Sequence, residues 1–520
     1  MYYQPVSHYS NWLYVLYLGH LKPFLIVYLA LSIFYTIFTA KLNQEMNNLI
    51  GRRKELSVLK SLSASNKSEF VAVYGRRRVG KTFLIRTAFS QLFTFQITAF
   101  GNASLSQQLI NFHINLQKLS PETENSPPSD WITAFQRLTV YLEKSDDSRK
   151  TVFFDELPWF DTHGSGFIQA LEHFWNSWAS ARNDIVLIVC GSAASWMINK
   201  LINNRGGLHN RVTKRLKIVP FTLGECEKFL QSKNVFIDKY QIVQLYMVMG
   251  GVPFYWDEIV PGKSAFQNIN DICFQENGVL RSEFHNLFRS LFNNYHKHEN
   301  VINALARKAK GLTRDEIIEL TGLPNAGSTT RLLTELEVSG FIRKYVPFGK
   351  KQRKSLYQFI DFYSLFYLRF LKDSNFIDQD NWMAFIDSPK YRAWSGYAFE
   401  QVCLCHLPEI KQALGISGVQ TSVSSWRSSS KDYGAQIDLV IDRRDQVINL
   451  FEMKFSVHPF IIDKKYAEEL RNKIGVFKQE TGTRKSVFLT MITTFGLQPN
   501  SSAAGIVQND LQMDVLFADN

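Results

Sequence analysis

The stretch Phe70-Val-Ala-Val-Tyr-Gly-Arg-Arg-Arg-Val-Gly-Lys-Thr82 constrains the fold of this chain more than any other. Residues 70–74 form a short apolar run of the kind that becomes a buried parallel strand. Gly75-x-x-x-x-Gly80-Lys81-Thr82 follows, then a helical apolar pattern at Phe83, Leu84, Ile85, Ala88 and Phe89. Strand, glycine loop and helix are the context that a phosphate-binding loop needs. Backbone N–H groups from Gly75 through Arg76, Arg77, Arg78, Val79 and Gly80 turn inward on a triphosphate, and the helix N-terminus adds partial positive charge. Lys81 reaches the outer phosphates, and Thr82 is placed to ligate Mg²⁺. The pattern implies a nucleoside triphosphate site.

Thr151-Val-Phe-Phe-Asp155-Glu156 is the second anchor: an apolar strand ending in two acids. Carboxylates at the C-terminal edge of a parallel sheet lie where ligands bind. Asp155 is expected to hold Mg²⁺ through its water shell and Glu156 to polarise the attacking water. Ile185 to Ser192 reads as a third buried strand, with Ser192 either sensing the terminal phosphate or capping the strand end. Arg205, Arg211, Lys214, Arg215 and Lys217 follow without an acid. One arginine, with Arg211 the choice, would complete the site in cis or from a neighbouring subunit; the alternative is a solvated basic loop.

These motifs, with the downstream Met249-Gly-Gly-Val-Pro253, resemble the AAA+-like P-loop ATPases, specifically the archaeal and bacterial group related to the STAND NTPases. The resemblance covers about residues 47–290. It implies ATP and Mg²⁺ as ligands, and places the glycine–proline element in a helical lid that closes on nucleotide. Leu49-Ile-Gly-Arg52 would open a helix packed beside the base.

From residue 298 the pattern changes to short helices. Thr313-Arg-Asp-Glu316 is a capping box, Gly322 to Gly327 makes a turn, and a second helix runs from Ser328 to Gly340. Residues 341–348 and 355–360 read as strands joined by a basic turn. Two helices at a turn plus a hairpin suggest a winged helix-turn-helix. Arg343, Lys344, Lys350, Lys351, Arg353 and Lys354 put positive charge on the wing without an acid, which suits a DNA backbone. Docking of a protein is the alternative.

A second constellation lies near the C-terminus. Glu400 falls on a helix, Asp438 on the alternating strand 435–442, and Glu452 with Lys454 on the strand 448–455, after a turn at 443–446. Residues two apart on a strand share a face. A hairpin can bring Asp438 beside Glu452 and Lys454, giving hard oxygens for Mg²⁺ and a positive group for a phosphorane or attacking water. The set resembles the PD-(D/E)xK nuclease fold of restriction-type endonucleases. That resemblance makes Asp438 and Glu452 metal ligands, Lys454 the catalytic lysine and Glu400 the acid of the first helix. The motif's proline is absent, with Gln436-Ile437 standing before Asp438. A surface pair in an unrelated α/β domain, or a domain that only binds, are the other readings.

The expected fold class is thus α/β: a P-loop parallel sheet (46–218), a helical lid (219–295), a winged helix (296–360) and a restriction-endonuclease-like domain (361–520). The net charge of +12 suits an anionic partner. Five scattered cysteines argue against a disulfide framework and for a reducing cytosol. Residues 12–40 are strongly apolar, so 1–45 is either a membrane anchor leaving the ATPase in the cytoplasm or an over-extended start before Met46. Besides a membrane-tethered, nucleotide-regulated scaffold, supported only by residues 12–40, two functions remain open. One is an ATPase coupled to DNA binding and metal-dependent DNA cleavage, possible as a homo-oligomer. The other is a STAND-like ATP-driven switch whose C-terminal domain binds DNA or protein without cleaving.

Overall fold

A computed structural model describes residues 49–519 apart from 123, 204–205, 293, 309, 373–381 and 430–433. The apolar segment 12–40 and Arg205 lie outside the described residues. Among those described, no helix is long and apolar enough to cross a membrane.

Strands β1 (Glu69–Gly75), β2 (Phe95–Thr98), β3 (Lys150–Asp155), β4 (Ile185–Gly191) and β5 (Lys214–Ile218) form one sheet in the order β2-β3-β4-β1-β5. Every pairing in it is parallel, as the apolar runs predict. Side chains alternate between the two faces. Phe70 and Ala72 of β1 enter a core with the helices Leu105–Leu119, Trp131–Lys144 and Phe167–Ser177. Val71 and Val73 face the helices Arg53–Ser61 and Lys81–Ala88. Burial on both faces is what a sheet of continuous apolar strands requires. Helix starts are set locally: Ser104 and Gln107 cap each other's backbone N–H, and Asp130 accepts from Thr133 N.

The rest of the chain is built differently. Helices Leu223–Ser232, Lys239–Met249 and Glu283–Leu291 lead into helices Tyr295–Ala306, Arg314–Thr321 and Gly327–Val338. The last three carry a small antiparallel sheet of β6 (Leu312–Thr313), β7 (Ile342–Tyr345) and β8 (Leu356–Phe359), ordered β6-β8-β7. The reciprocal Thr313–Glu316 cap is present. Then come helix Pro389–Cys405, β9 (Thr421–Arg427), β10 (Gln436–Arg443), β11 (Val447–Lys454), helix Lys464–Thr481, β12 (Ser486–Thr493) and β13 (Val507–Gln512). β9, β10 and β11 pair antiparallel, whereas β12 and β13 add in parallel.

One continuous apolar core runs from Phe221 to Phe517 through these segments. Gly251 marks a close crossing within it. A Cβ there would fall 1.8 Å from the carbonyl oxygen of Phe221, so the Gly-Gly-Val-Pro element is held hard against the chain entering the lid.

Candidate nucleotide site and C-terminal carboxylate cluster

β1 ends at Gly75, where a Cβ would lie 2.1 Å from Ile218 O. Only glycine lets β5 approach as the loop begins. Lys81, buried at the start of its helix, donates from Nζ to Gly75 O (3.1 Å), Arg76 O (2.9 Å) and Ser192 Oγ (3.0 Å). Thr82 Oγ1 donates to the Asp155 carboxylate at 3.0 and 3.2 Å. Burial, and then the neighbouring Glu156 charge, push the Asp155 carboxyl above its ordinary range. Glu156 sits just beyond β3 in the left-handed region, at φ 52°. Its Oε1 accepts from Ser192 Oγ (2.7 Å) and its Oε2 from Ser192 N (3.2 Å). The Ser192 hydroxyl therefore accepts from Lys81 and donates to Glu156. Sequence reasoning left Ser192 between sensing the terminal phosphate and capping the strand end; the structure makes it the link between cation and acid.

Arg211 is not brought to this site. β5 runs parallel to β1, pairing Lys214 with Val71 and Ile218 with Gly75, and Thr213 N donates to Phe70 O. The exposed Arg211 precedes β5, at the end of the sheet opposite the loop.

The loop's own arginines have partners that their spacing did not announce. Arg76 forms a buried ion pair with Asp361, 285 positions away, and its guanidinium lies 5.3 Å from the Phe341 ring centroid. Arg78 pairs with Glu283 at 2.7 Å and lies 4.2 Å over Phe254. Burial pushes the Glu283 carboxyl up, against the pull of Arg78. Arg52, also buried, donates to Val79 O within the loop and to Val219 O at the entrance of the lid. The sequence offered one signal for these contacts: a phosphate loop needs backbone, not side chains, at 76–78, so three arginines there must serve something else.

At the C-terminal constellation, the β10–β11 register that pairs Leu439 with Phe451 sets Asp438 opposite Glu452 one step further on. Glu452 is heavily engaged. Its Oε2 accepts from Tyr466 OH at 3.0 Å and lies 3.7 Å from Lys454 Nζ, while its Oε1 is paired with Lys473. Asp438 Oδ1 accepts from Gln436 Nε2 at 2.6 Å. Glu400 is pushed up to about 8, by burial first and by the Asp438 charge second.

Among the described residues, no three His, Cys, Asp or Glu side chains converge to hold a metal. The opposed carboxylates are present as expected. Both oxygens of Glu452 are nevertheless claimed by groups on the helix Lys464–Thr481, which crosses the same sheet face. This arrangement is a charge-balanced cluster and does not fit a preassembled metal centre. Lys473 and Tyr466 carry no motif, so their part was not legible.

Comparison with known proteins bears on the first site. Over 412 residues, 78% of this chain and 87% of the relative, the chain is 23% identical to an uncharacterized protein of Methanocaldococcus jannaschii. A Walker-type ATPase of Pyrococcus abyssi superposes with a TM-score of 0.45 at 16% identity, covering 62% of this chain and 96% of that one. The ORC2 protein of Aeropyrum pernix gives 0.38 at 15% identity, covering 65% and 96%. Residues 49–259 match the family model of an ATPase domain found predominantly in Archaea. That segment, with its glycine loop on β1 and its acids on β3, is a P-loop ATPase domain.

Proposed function

We propose that this chain hydrolyses ATP with Mg²⁺ and uses its nucleotide state to control nucleic-acid binding by its C-terminal half. The observation that carries the coupling is the pairing of loop residues Arg76 and Arg78 with Asp361 and Glu283. A loop that reshapes around a triphosphate must strain or move those two pairs.

The catalytic part follows from the residues present. Thr82 and Asp155, hard oxygens in contact, suit Mg²⁺; when bound, the ion neutralises charge on the phosphates. Lys81 supplies an ammonium to the outer phosphates. Glu156 orients the water that attacks the terminal phosphorus and takes its proton as the bond to the ADP oxygen breaks. Ser192 keeps Glu156 aimed at that position. Arg211 would serve such a site only from a second copy of the chain, consistent with a homo-oligomer.

Three helices with a β-hairpin at 295–359 support the winged-helix reading, and the exposed Lys350, Lys351, Arg353 and Lys354 supply charge for phosphates. The order helix, three antiparallel strands, helix, parallel strand supports the restriction-endonuclease-like reading of 361–520. Binding without cleavage is the reading the Glu452 contacts favour. Metal-dependent cleavage through Asp438, Glu452, Lys454 and Glu400 is a second reading, carried by the opposition of Asp438 and Glu452 across the hairpin.

The test compares nucleic-acid affinity of the full chain with ADP and with a non-hydrolysable ATP analogue. A difference of about 5-fold or more is expected, the lower end of ordinary site-to-site coupling; equal affinities would end the coupling claim. Plasmid nicking in Mg²⁺ or Mn²⁺, lost in Asp438→Asn, would establish cleavage. No nicking by the wild type leaves binding alone.

A further inference from the structure

A cavity of about 400 Å³ lies between the hairpin β7–β8 and the C-terminal sheet, walled by both. The hairpin does not stand free. Phe348 N donates to Ser425 O at 2.7 Å, and the Phe348 ring packs 5.3 Å from that of Phe477. The segment joining β7 to β8 is thereby folded onto the sheet, where it forms one wall of a half-open chamber.

Two kinds of side chain line that chamber. Lys350 and Lys354 come from the hairpin side and Arg427 from the end of β9, and none of the three forms an ion pair among the described residues. Tyr345 and Phe348 add aromatic surface, with the buried Trp426 behind them. Glu400 and Asp438 lie on the same wall.

We infer that this chamber is a binding site for a single-stranded nucleic-acid segment, with a base against the aromatic side chains and its phosphates on Lys350, Lys354 and Arg427. The inference rests on the reading that the C-terminal half takes nucleic acid, and it narrows the substrate. Cations interleaved with aromatic faces are the chemistry of single-strand sites, because every base has a face to stack and every linkage a charge. Size points the same way. Binding pockets for small ligands run roughly 300–1,000 Å³, so this one holds a nucleotide or two. In a duplex the bases are paired and stacked on one another, whereas an unpaired strand can lay a base face on an aromatic side chain.

The experiment is fluorescence anisotropy on the full chain in EDTA, with a labelled oligothymidylate and a duplex of equal length. Single strand is expected to bind at least tenfold more tightly than duplex. Lys354→Glu and Arg427→Glu, both at exposed positions on opposite walls, should each weaken it tenfold or more. Arg392→Glu, exposed on the helix that carries Glu400 but outside the chamber, should change it less than twofold. Circular dichroism and ATP binding serve as controls for folding of each variant. Duplex binding equal to or tighter than single-strand binding would overturn the single-strand assignment while leaving the nucleic-acid reading intact. Equal losses in Arg392→Glu and Arg427→Glu would replace the chamber by diffuse surface charge. Binding of neither probe would overturn both this inference and the broader reading.

Discussion

Gly75 carries two duties at one Cα: it ends β1 and lets β5 pass. Gly75→Ala sets a methyl 2.1 Å from Ile218 O, and backbone cannot retreat as a flexible side chain would. A loss of about 1–3 kcal/mol, the usual range for overpacking, is expected in denaturant unfolding, together with weaker ATP binding. An unchanged midpoint would show that the strands separate freely. At this scale the nucleotide site was legible because its chemistry is written in adjacent residues: Gly75 to Thr82, then Asp155 with Glu156. The acid cluster was only partly legible. Asp438 and Glu452 follow from strand period and a hairpin, but Lys473 reaches Glu452 from a helix whose crossing nothing in the sequence marks.

Among the contacts between elements that join the ATPase and its lid to the C-terminal half of the chain, two can be tested by single substitutions. Asp361 caps the helix Phe362–Phe366 by accepting from Ser364 N and also neutralises the buried Arg76. Asp361→Asn keeps a capping side chain but leaves Arg76 charged and unpaired. Breaking a buried pair costs about 3–5 kcal/mol, so the variant should unfold at markedly lower denaturant concentration; a shift within error would mean the pair is solvated in solution. The second contact is His406. Its Nε2 accepts from Leu223 N at 2.9 Å, satisfying a first-turn donor of the helix Leu223–Ser232, while Nδ1 bonds Val402 O. Burial lowers its pKa from an ordinary 6.5 to about 4. The unfolded chain then binds more protons than the folded one between those values, so this contribution is complete above pH 6.5 and is lost as pH falls toward 4. About 3 kcal/mol is at stake, at 1.36 kcal/mol per pKa unit. His406→Gln retains an acceptor that does not titrate, and its stability should fall less between pH 6.5 and 4 than that of the wild type. Parallel curves would show that His406 does not set this pH dependence.

On the scale of the whole molecule, the parallel sheet, the helices and hairpin up to residue 360 and the two strands flanking residues 443–446 could be read along the chain, since periodicity and capping are local; the other strands of the C-terminal sheet were not read. The arrangement of those elements could not be read. A core shared from Phe221 to Phe517 and a loop gripped through Arg76 and Arg78 arise from contacts between residues far apart in sequence, and periodicity holds no record of them. They make the phosphate loop the hinge of the proposed mechanism, because the same eight residues hold nucleotide by backbone and the rest of the chain by side chain. The most direct measurement is therefore ATP binding and turnover by the full chain and two variants on the same preparations. Lys81→Ala should lose tight Mg-ATP binding. Glu156→Gln should bind ATP as the wild type does yet turn it over about 10²-fold or more slowly, the usual contribution of a positioned base. Wild-type turnover by Glu156→Gln, or undiminished ATP binding by Lys81→Ala, would contradict the site as assigned.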